Sequence, residues 1–217
     1  MRSKYILLSL CTVLPLSAQD WEVGLFAGRQ QYHPFVEIDD NSATFPWSAA
    51  DKTVLGVRLG YSFWDLGPAR MQATLGYQPS TSTSLNLSSN NSLGGSFAGS
   101  MGSYKESHTS AGLMCNFKSR VSAGVGLELR FEQLDVQFDQ GHGNGGSYAT
   151  KYVRPWLRAD ASMDIPTRMA KAKPFIGLEA DYALVSMGTD QYRVSNTNGT
   201  KALAPKSQIG VDVGIRF

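Results

Sequence analysis

The chain has 217 residues, 42% hydrophobic and 18% charged, with a formal net charge of +2 and a mean hydropathy of −0.20. That length suits one domain, and the near balance of charge excludes a nucleic-acid binder, because no basic excess is left to neutralise phosphates. Of the two cysteines only Cys115 lies beyond the first eighteen residues, so the expected mature chain has no intramolecular disulfide.

The N-terminus reads as an export signal. Arg2 and Lys4 precede an apolar run from Tyr5 to Leu16, and Leu16-Ser17-Ala18 offers a small residue for cleavage before Gln19. At roughly 12 residues the run is shorter than the ~20 a spanning helix needs. Cys11 raises a lipoprotein alternative, but Leu10 is a poor residue before a lipidated cysteine and the apolar run continues past it. The expected organisation is a signal peptide over 1–18 and one β domain over 19–217, close to neutral once Arg2 and Lys4 are removed.

Beyond the signal the hydrophobic period is 2, which predicts eight strands. The first covers about Asp20 to Gln30, with Trp21, Val23, Leu25 and Ala27 on one face. The second, about Lys52 to Phe63, aligns Leu55, Val57, Leu59, Tyr61 and Phe63. The third, about Ala69 to Gln78, aligns Met71, Ala73, Leu75 and Tyr77. The fourth runs from about Tyr104 to Phe117, the fifth from about Val121 to Leu134 and the sixth from about Thr150 to Ile165. The seventh, about Pro174 to Leu184, aligns Ile176, Leu178, Ala180 and Tyr182. The last, Ser207 to Phe217, reads S-Q-I-G-V-D-V-G-I-R-F and alternates through Ile209, Val211, Val213, Ile215 and Phe217.

The connections alternate in length. Residues 31–51, 79–103, 135–149 and 185–205 are long and rich in Ser, Asn, Gly and Asp, and are expected to be surface loops. The low-complexity runs Gln78 to Ser103 and Gly141 to Gly146 are expected to be mobile. Residues 64–68, 118–120 and 166–173 are short turns. An up-and-down barrel with unlike rims has this pattern, and an even strand number puts both chain ends on the short-turn side.

The polar face decides which side faces in. It carries Glu22, Arg58, Arg70, Glu128, Arg130, Glu132, Arg154, Arg158, Asp160, Glu179, Asp181, Asp212 and Arg216, with many glycines and no lysine in the strand middles. A water-facing surface has no reason to exclude Lys. A narrow interior does, because the planar guanidinium pairs with carboxylates in several directions. These residues are therefore expected to form a charge network in the lumen. The apolar face carries aromatics near both rims, Trp21, Phe63, Trp64, Phe117 and Phe217 at one and Tyr77, Phe131 and Tyr182 at the other, as expected of interfacial girdles.

The exported start, the alternating strands and the terminal V-G-I-R-F resemble the small bacterial outer-membrane β-barrel proteins, the OmpA-like transmembrane domain group. The resemblance covers essentially the whole mature chain. It implies an all-β fold: an eight-stranded antiparallel up-and-down transmembrane β-barrel in the outer membrane, both termini periplasmic. It further implies that Val213, Ile215 and Phe217 serve as a barrel-assembly signal, read by the barrel-assembly machinery, and that outer-membrane lipid and lipopolysaccharide surround the barrel. One departure is Pro155 in the sixth strand, which implies either a bulge or a strand end rising above the membrane.

Catalytic chemistry is not expected. His108-Thr109-Ser110 faintly resembles the His-x-Ser motif of outer-membrane lipid A deacylases, and Glu106, His108 and Ser110 share a strand face. That face is the lumen, whereas lipid chains approach from outside. His33 and His142 have no second ligand at metal spacing. Asp39, Asp40 and Asn41 lack a calcium-loop pattern, and the glycine run 141–146 lacks the Lys-Ser/Thr of a phosphate loop. No cofactor or metal is expected. The leading expectation is a structural or surface-interaction barrel with a charge-paired lumen. A narrow solute channel and a lipid-modifying enzyme are the alternatives.

Overall fold

A computed structural model describes residues 21–32, 35–38, 44–49, 51–90, 96–138, 147–167, 172–185 and 204–217. The expected signal peptide, His33, Asp39 to Asn41, and Gly141 to Gly146 with His142 lie outside the described residues. The described residues form ten strands: β1 (Trp21–Tyr32), β2 (Phe35–Ile38), β3 (Thr44–Ala49), β4 (Lys52–Asp65), β5 (Ala69–Asn90), β6 (Ser96–Phe117), β7 (Ser122–Phe138), β8 (Ser147–Asp164), β9 (Lys173–Ala183) and β10 (Pro205–Arg216).

Eight of them close into an antiparallel barrel. Each of β4 to β9 pairs with the next, and β1 pairs with both β4 and β10. Closure is in full register, from Glu22↔Arg216 to Gln31↔Ser207. The start of β1 and the end of β10 meet at the short-turn rim, where Phe217 N donates to Trp21 O at 2.8 Å.

The wall is taller on one side. Three of the connections expected as loops contain strand. β5 and β6 keep pairing out to Asn90↔Ser96, β7 and β8 out to Gln137↔Ser147, and β2 and β3 form a hairpin that joins β5 at Trp47↔Leu87. The Ser/Thr-rich run 79–103 is thus mostly an extended hairpin. Hydrophobic alternation does not mark it, because small polar residues recur at positions of both phases.

Register shifts occur at four places among the described residues, and two of them reset side-chain phase in the barrel wall. The β4–β5 register slips at Phe63, which leaves Phe63 and Trp64 both outward although they are adjacent. The β5–β6 register slips at Pro79-Ser80, so Thr81 takes up the inward phase that Gln78 held. Pro155 needs no bulge. It pairs with Leu129 in unbroken register, and its carbonyl accepts Leu184 N at 3.0 Å. Its absent N–H points the same way, past the end of β9, so the ladder to β7 loses no bond.

The inward glycines make room for large neighbours. A Cβ on Gly24 would stand 2.7 Å from Asp212 Oδ1, and one on Gly214 would stand 2.7 Å from the Phe175 ring. Gly210 is hemmed in by backbone as well as a ring, with Gly28 Cα at 2.5 Å and Phe26 Cζ at 2.7 Å. Gly210→Leu is expected to destabilise the folded barrel by about 1–3 kcal/mol or more through overpacking. Ala180→Leu, outward on β9, should stay within about 0.5 kcal/mol. Urea unfolding in lipid vesicles measures both.

Candidate functional site in the barrel interior

The barrel interior holds the chain's main concentration of charge. Arg130 on β7 is fully buried and reaches three other strands. Its Nη2 donates to Asp181 Oδ2 on β9 at 2.6 Å and its Nη1 to Gln208 Oε1 on β10 at 3.3 Å. Its guanidinium lies 4.0 Å from the ring centre of Trp156 on β8, and its Nε donates to Glu128 on its own strand. From the opposite wall, Arg58 on β4 reaches across the lumen to Glu179 and Asp181, the latter at 3.4 Å. Arg158 meets Glu179 at 2.9 Å and Asp160 at 3.6 Å.

Two further groups flank this centre. Toward the long-loop side, Arg154 grips both oxygens of Glu132, with bonds of 2.7 to 3.0 Å, and Trp156 Nε1 donates to Glu132 Oε1 at 2.7 Å. Arg154 also donates to Pro205 O at 2.7 Å, which ties β8 to β10. Toward the short turns, Arg216 bonds Glu22 at 2.7 Å and Asp164 at 2.5 Å, with Phe175 4.2 Å beneath its guanidinium. Arg70 and Asp212 also face inward but form no close ion pair among the described residues.

The sequence reading missed the aromatic and neutral half of the interior. Phe26, Phe175, Trp156, Tyr104 and Tyr152 all point inward and are buried. They sit on the polar phase of their strands, where alternation labels the face rather than each residue. Most are partnered by a cation: Arg58 lies 5.1 Å from the Phe26 ring centre and Arg154 5.0 Å from that of Trp156. For Trp156 and Tyr152 the signal that could have found them is an aromatic placed two residues from the inward Arg154. Lys52 is also inward and buried, 3.6 Å from Glu106, although it lies at a strand end. Tyr32 and Tyr104 pack edge to face at 5.1 Å, with Leu134 and Val136 buried beside them and Lys52 Nζ 5.3 Å from the Tyr104 ring centre.

Glu106 and His108 are joined, with Glu106 Oε1 3.0 Å from His108 Nδ1. Gln78 and Lys52 occupy the other carboxylate oxygen, at 3.1 and 3.6 Å. Ser110 is buried nearby, yet no hydrogen bond links it to His108 among the described residues. A nucleophile needs that bond to its base, so these three residues make a packed interior contact and not an assembled triad.

The outer face is the inverse of the inner one. Leu25, Leu55, Leu75, Leu113, Leu127, Leu178 and Ile209 are each more than half exposed. Apolar positions run from Leu55 to Phe63, Ala123 to Phe131, Ile176 to Leu184 and Ile209 to Phe217, each about 27 Å of strand at about 3.4 Å per residue. Phe63, Trp64, Phe117 and Phe217 stand exposed toward the short turns, with Trp21 half-buried against Tyr61 at 4.8 Å. Tyr77, Phe131 and Tyr182 stand exposed at the other limit of the same band. Val213 and Ile215 share the outward face of β10.

Removing the central cation tests the interior. Arg130→Ala leaves Glu128 and Asp181 short of their closest partner and is expected to destabilise the barrel by roughly 3–5 kcal/mol. Glu22→Ala, at the part-exposed lower rim, should cost far less. Urea titrations of the refolded variants, followed by heat-modifiable gel mobility, give both values.

No family model matches the chain, and no curated protein does. Solved structures give distant likenesses. The outer membrane protein OprG from Pseudomonas aeruginosa is 14% identical over 91% of this chain and 92% of its own, with a TM-score of 0.48. Ail, the attachment invasion locus protein of Yersinia pestis, is 10% identical over 91% and 97%, with a TM-score of 0.40. The beta domain of the Bordetella autotransporter BrkA is 11% identical over 93% and 99%, with a TM-score of 0.29. The fold of this chain is established by its own strand ladder, a closed eight-stranded antiparallel β-barrel with charge inside and apolar side chains outside.

Proposed function

We propose that the chain is an integral outer-membrane β-barrel protein whose lumen is closed by its own side chains and which serves a structural or surface-interaction role. The inversion of the barrel carries this reading. A band of exposed Leu, Val, Ile and Phe encircles a core of buried Arg, Glu and Asp, which is unfavourable in water and favourable in a bilayer. At a strand tilt near 40°, about 27 Å of strand gives about 21 Å along the axis, close to the ~25 Å band such barrels present to lipid. The exposed aromatics at both limits of the band support interfacial girdles.

The orientation follows from the loops. With the short turns and both chain ends at the periplasmic rim, the taller wall of β5 to β8 and the β2–β3 hairpin stand on the outside of the cell, where an extracellular ligand would meet them. During biogenesis the outward Val213, Ile215 and Phe217 of β10 offer the assembly machinery its signal, and lipid then surrounds them.

A closed lumen is the reading the interior supports. Trp156, Arg130, Arg154 and Tyr104 are all within 2% of complete burial, and they cross the space a solute would use. Planar-bilayer recordings of the refolded barrel are expected to show no conductance steps. Steps that change in size with Arg58→Ala would establish the narrow channel instead. In cells, the protein is expected in the outer-membrane fraction. Recovery in the soluble periplasm without detergent would overturn the membrane assignment. Phe217→Ala should lower the amount assembled in cells while leaving refolding into vesicles intact.

A further inference from the structure

We propose that the outer wall carries a seat for one lipid with an anionic phosphorylated head group, in the leaflet on the long-loop side. The inference rests on the membrane reading above and adds a site to it.

The site is a hollow of about 410 Å³ at the upper limit of the apolar band. It arises from residue size along one row of the ladder. Tyr77, Thr109, Phe131 and Val153 lie opposite one another across β5, β6, β7 and β8. Thr109 is the small member between two exposed aromatics. The next row toward the short turns repeats the arrangement, with Ala111 between Leu75 and Leu129. Small side chains on β6 thus form a trough between β5 and β7, which lie about 10 Å apart. A trough of that width suits one acyl chain.

The row above the aromatics is polar. Ser107, Gln133 and Lys151 are opposite one another on the same outward face and line the same hollow. Lys151 is exposed and makes no ion pair among the described residues. The one carboxylate in the lining, Glu132, faces inward and is held by Arg154 and Trp156. The nearest outward acid, Asp135, accepts from Gln133 at 3.2 Å and faces Lys105 across the ladder. The hollow therefore offers a cation and two neutral polar groups above an apolar trough. That combination complements a phosphate on top of a hydrocarbon chain.

Native mass spectrometry of the refolded barrel tests this, with phosphatidylglycerol and phosphatidylcholine of identical acyl chains as probes. The wild type is expected to retain one phosphatidylglycerol in preference to phosphatidylcholine. Lys151→Gln should cut that preference about fivefold, near what one lysine contributes at an anionic lipid surface, and high salt should weaken it similarly. Thr109→Trp fills the trough and should abolish retention, while Ala180→Trp on the far wall should leave it unchanged. Equal retention of the two lipids, or indifference to both Lys151→Gln and Thr109→Trp, would mean an unselective lipid annulus and overturn the proposal. Heat-modifiable mobility and vesicle insertion are scored for every variant. Failure of the wild type to insert overturns the membrane reading, whereas loss of preference with insertion intact overturns only the lipid seat.

Discussion

The structure depends on satisfying ionic charge inside a closed tube. Asp181 on β9 receives Arg130 from β7 and Arg58 from β4, so one carboxylate joins strands on opposite walls. Buried ion pairs add little net stability over apolar contacts, because desolvation offsets most of the attraction. Their value here is register. Sliding any strand by one residue would turn its charges into the apolar band and its leucines into the lumen. Arg is suited to this task, because one guanidinium can serve carboxylates on several strands while its face rests on a ring.

The other interior choices follow from the same demand. Eight strands enclose a space that side chains can fill, and an arginine that must reach across it needs small neighbours. Glycines supply the space and Phe26, Phe175 and Trp156 fill what remains. Toward the long loops, Tyr32, Tyr104, Leu134 and Val136 pack around the Lys52–Glu106 pair. The lumen thus carries an ionic middle, a single ion pair among rings and aliphatic side chains above it, and a clasp of Arg216, Glu22 and Asp164 at the base.

Much of this was legible in the sequence where two requirements coincide. Wherever a strand separates an apolar outer face from inner charge, alternation is strong, and those stretches of the eight strands were readable to within a few residues. The fate of Phe63 and Trp64 was not, because a bulge depends on the partner strand and leaves no periodic mark. Nor was the height of β5 and β6, since a Ser- and Thr-rich ladder with little hydrophobic alternation looks like a loop. In the interior, formal charge marked Arg130 and Asp181 but gave no hint of which carboxylate each arginine would choose. Pairing across a lumen depends on strand order and stagger together. Trp156 escaped notice because an aromatic on a polar face breaks the binary pattern while satisfying the chemistry beneath it.

The ladder between β1 and β10 has a consequence for how the barrel comes to exist. Arg216 and Glu22 are 194 residues apart, whereas the turn from β6 to β7 joins neighbours almost at once. Bringing such distant ends together costs about 3 kcal/mol more than closing a ten-residue loop, because the entropy grows only with the logarithm of length. One arginine clasp and a continuous run of backbone bonds can offset that. Until they form, two long edges remain open to any other strand. The final seam is therefore what converts an open sheet, able to pair with a stranger along β1 and β10, into a closed barrel wall.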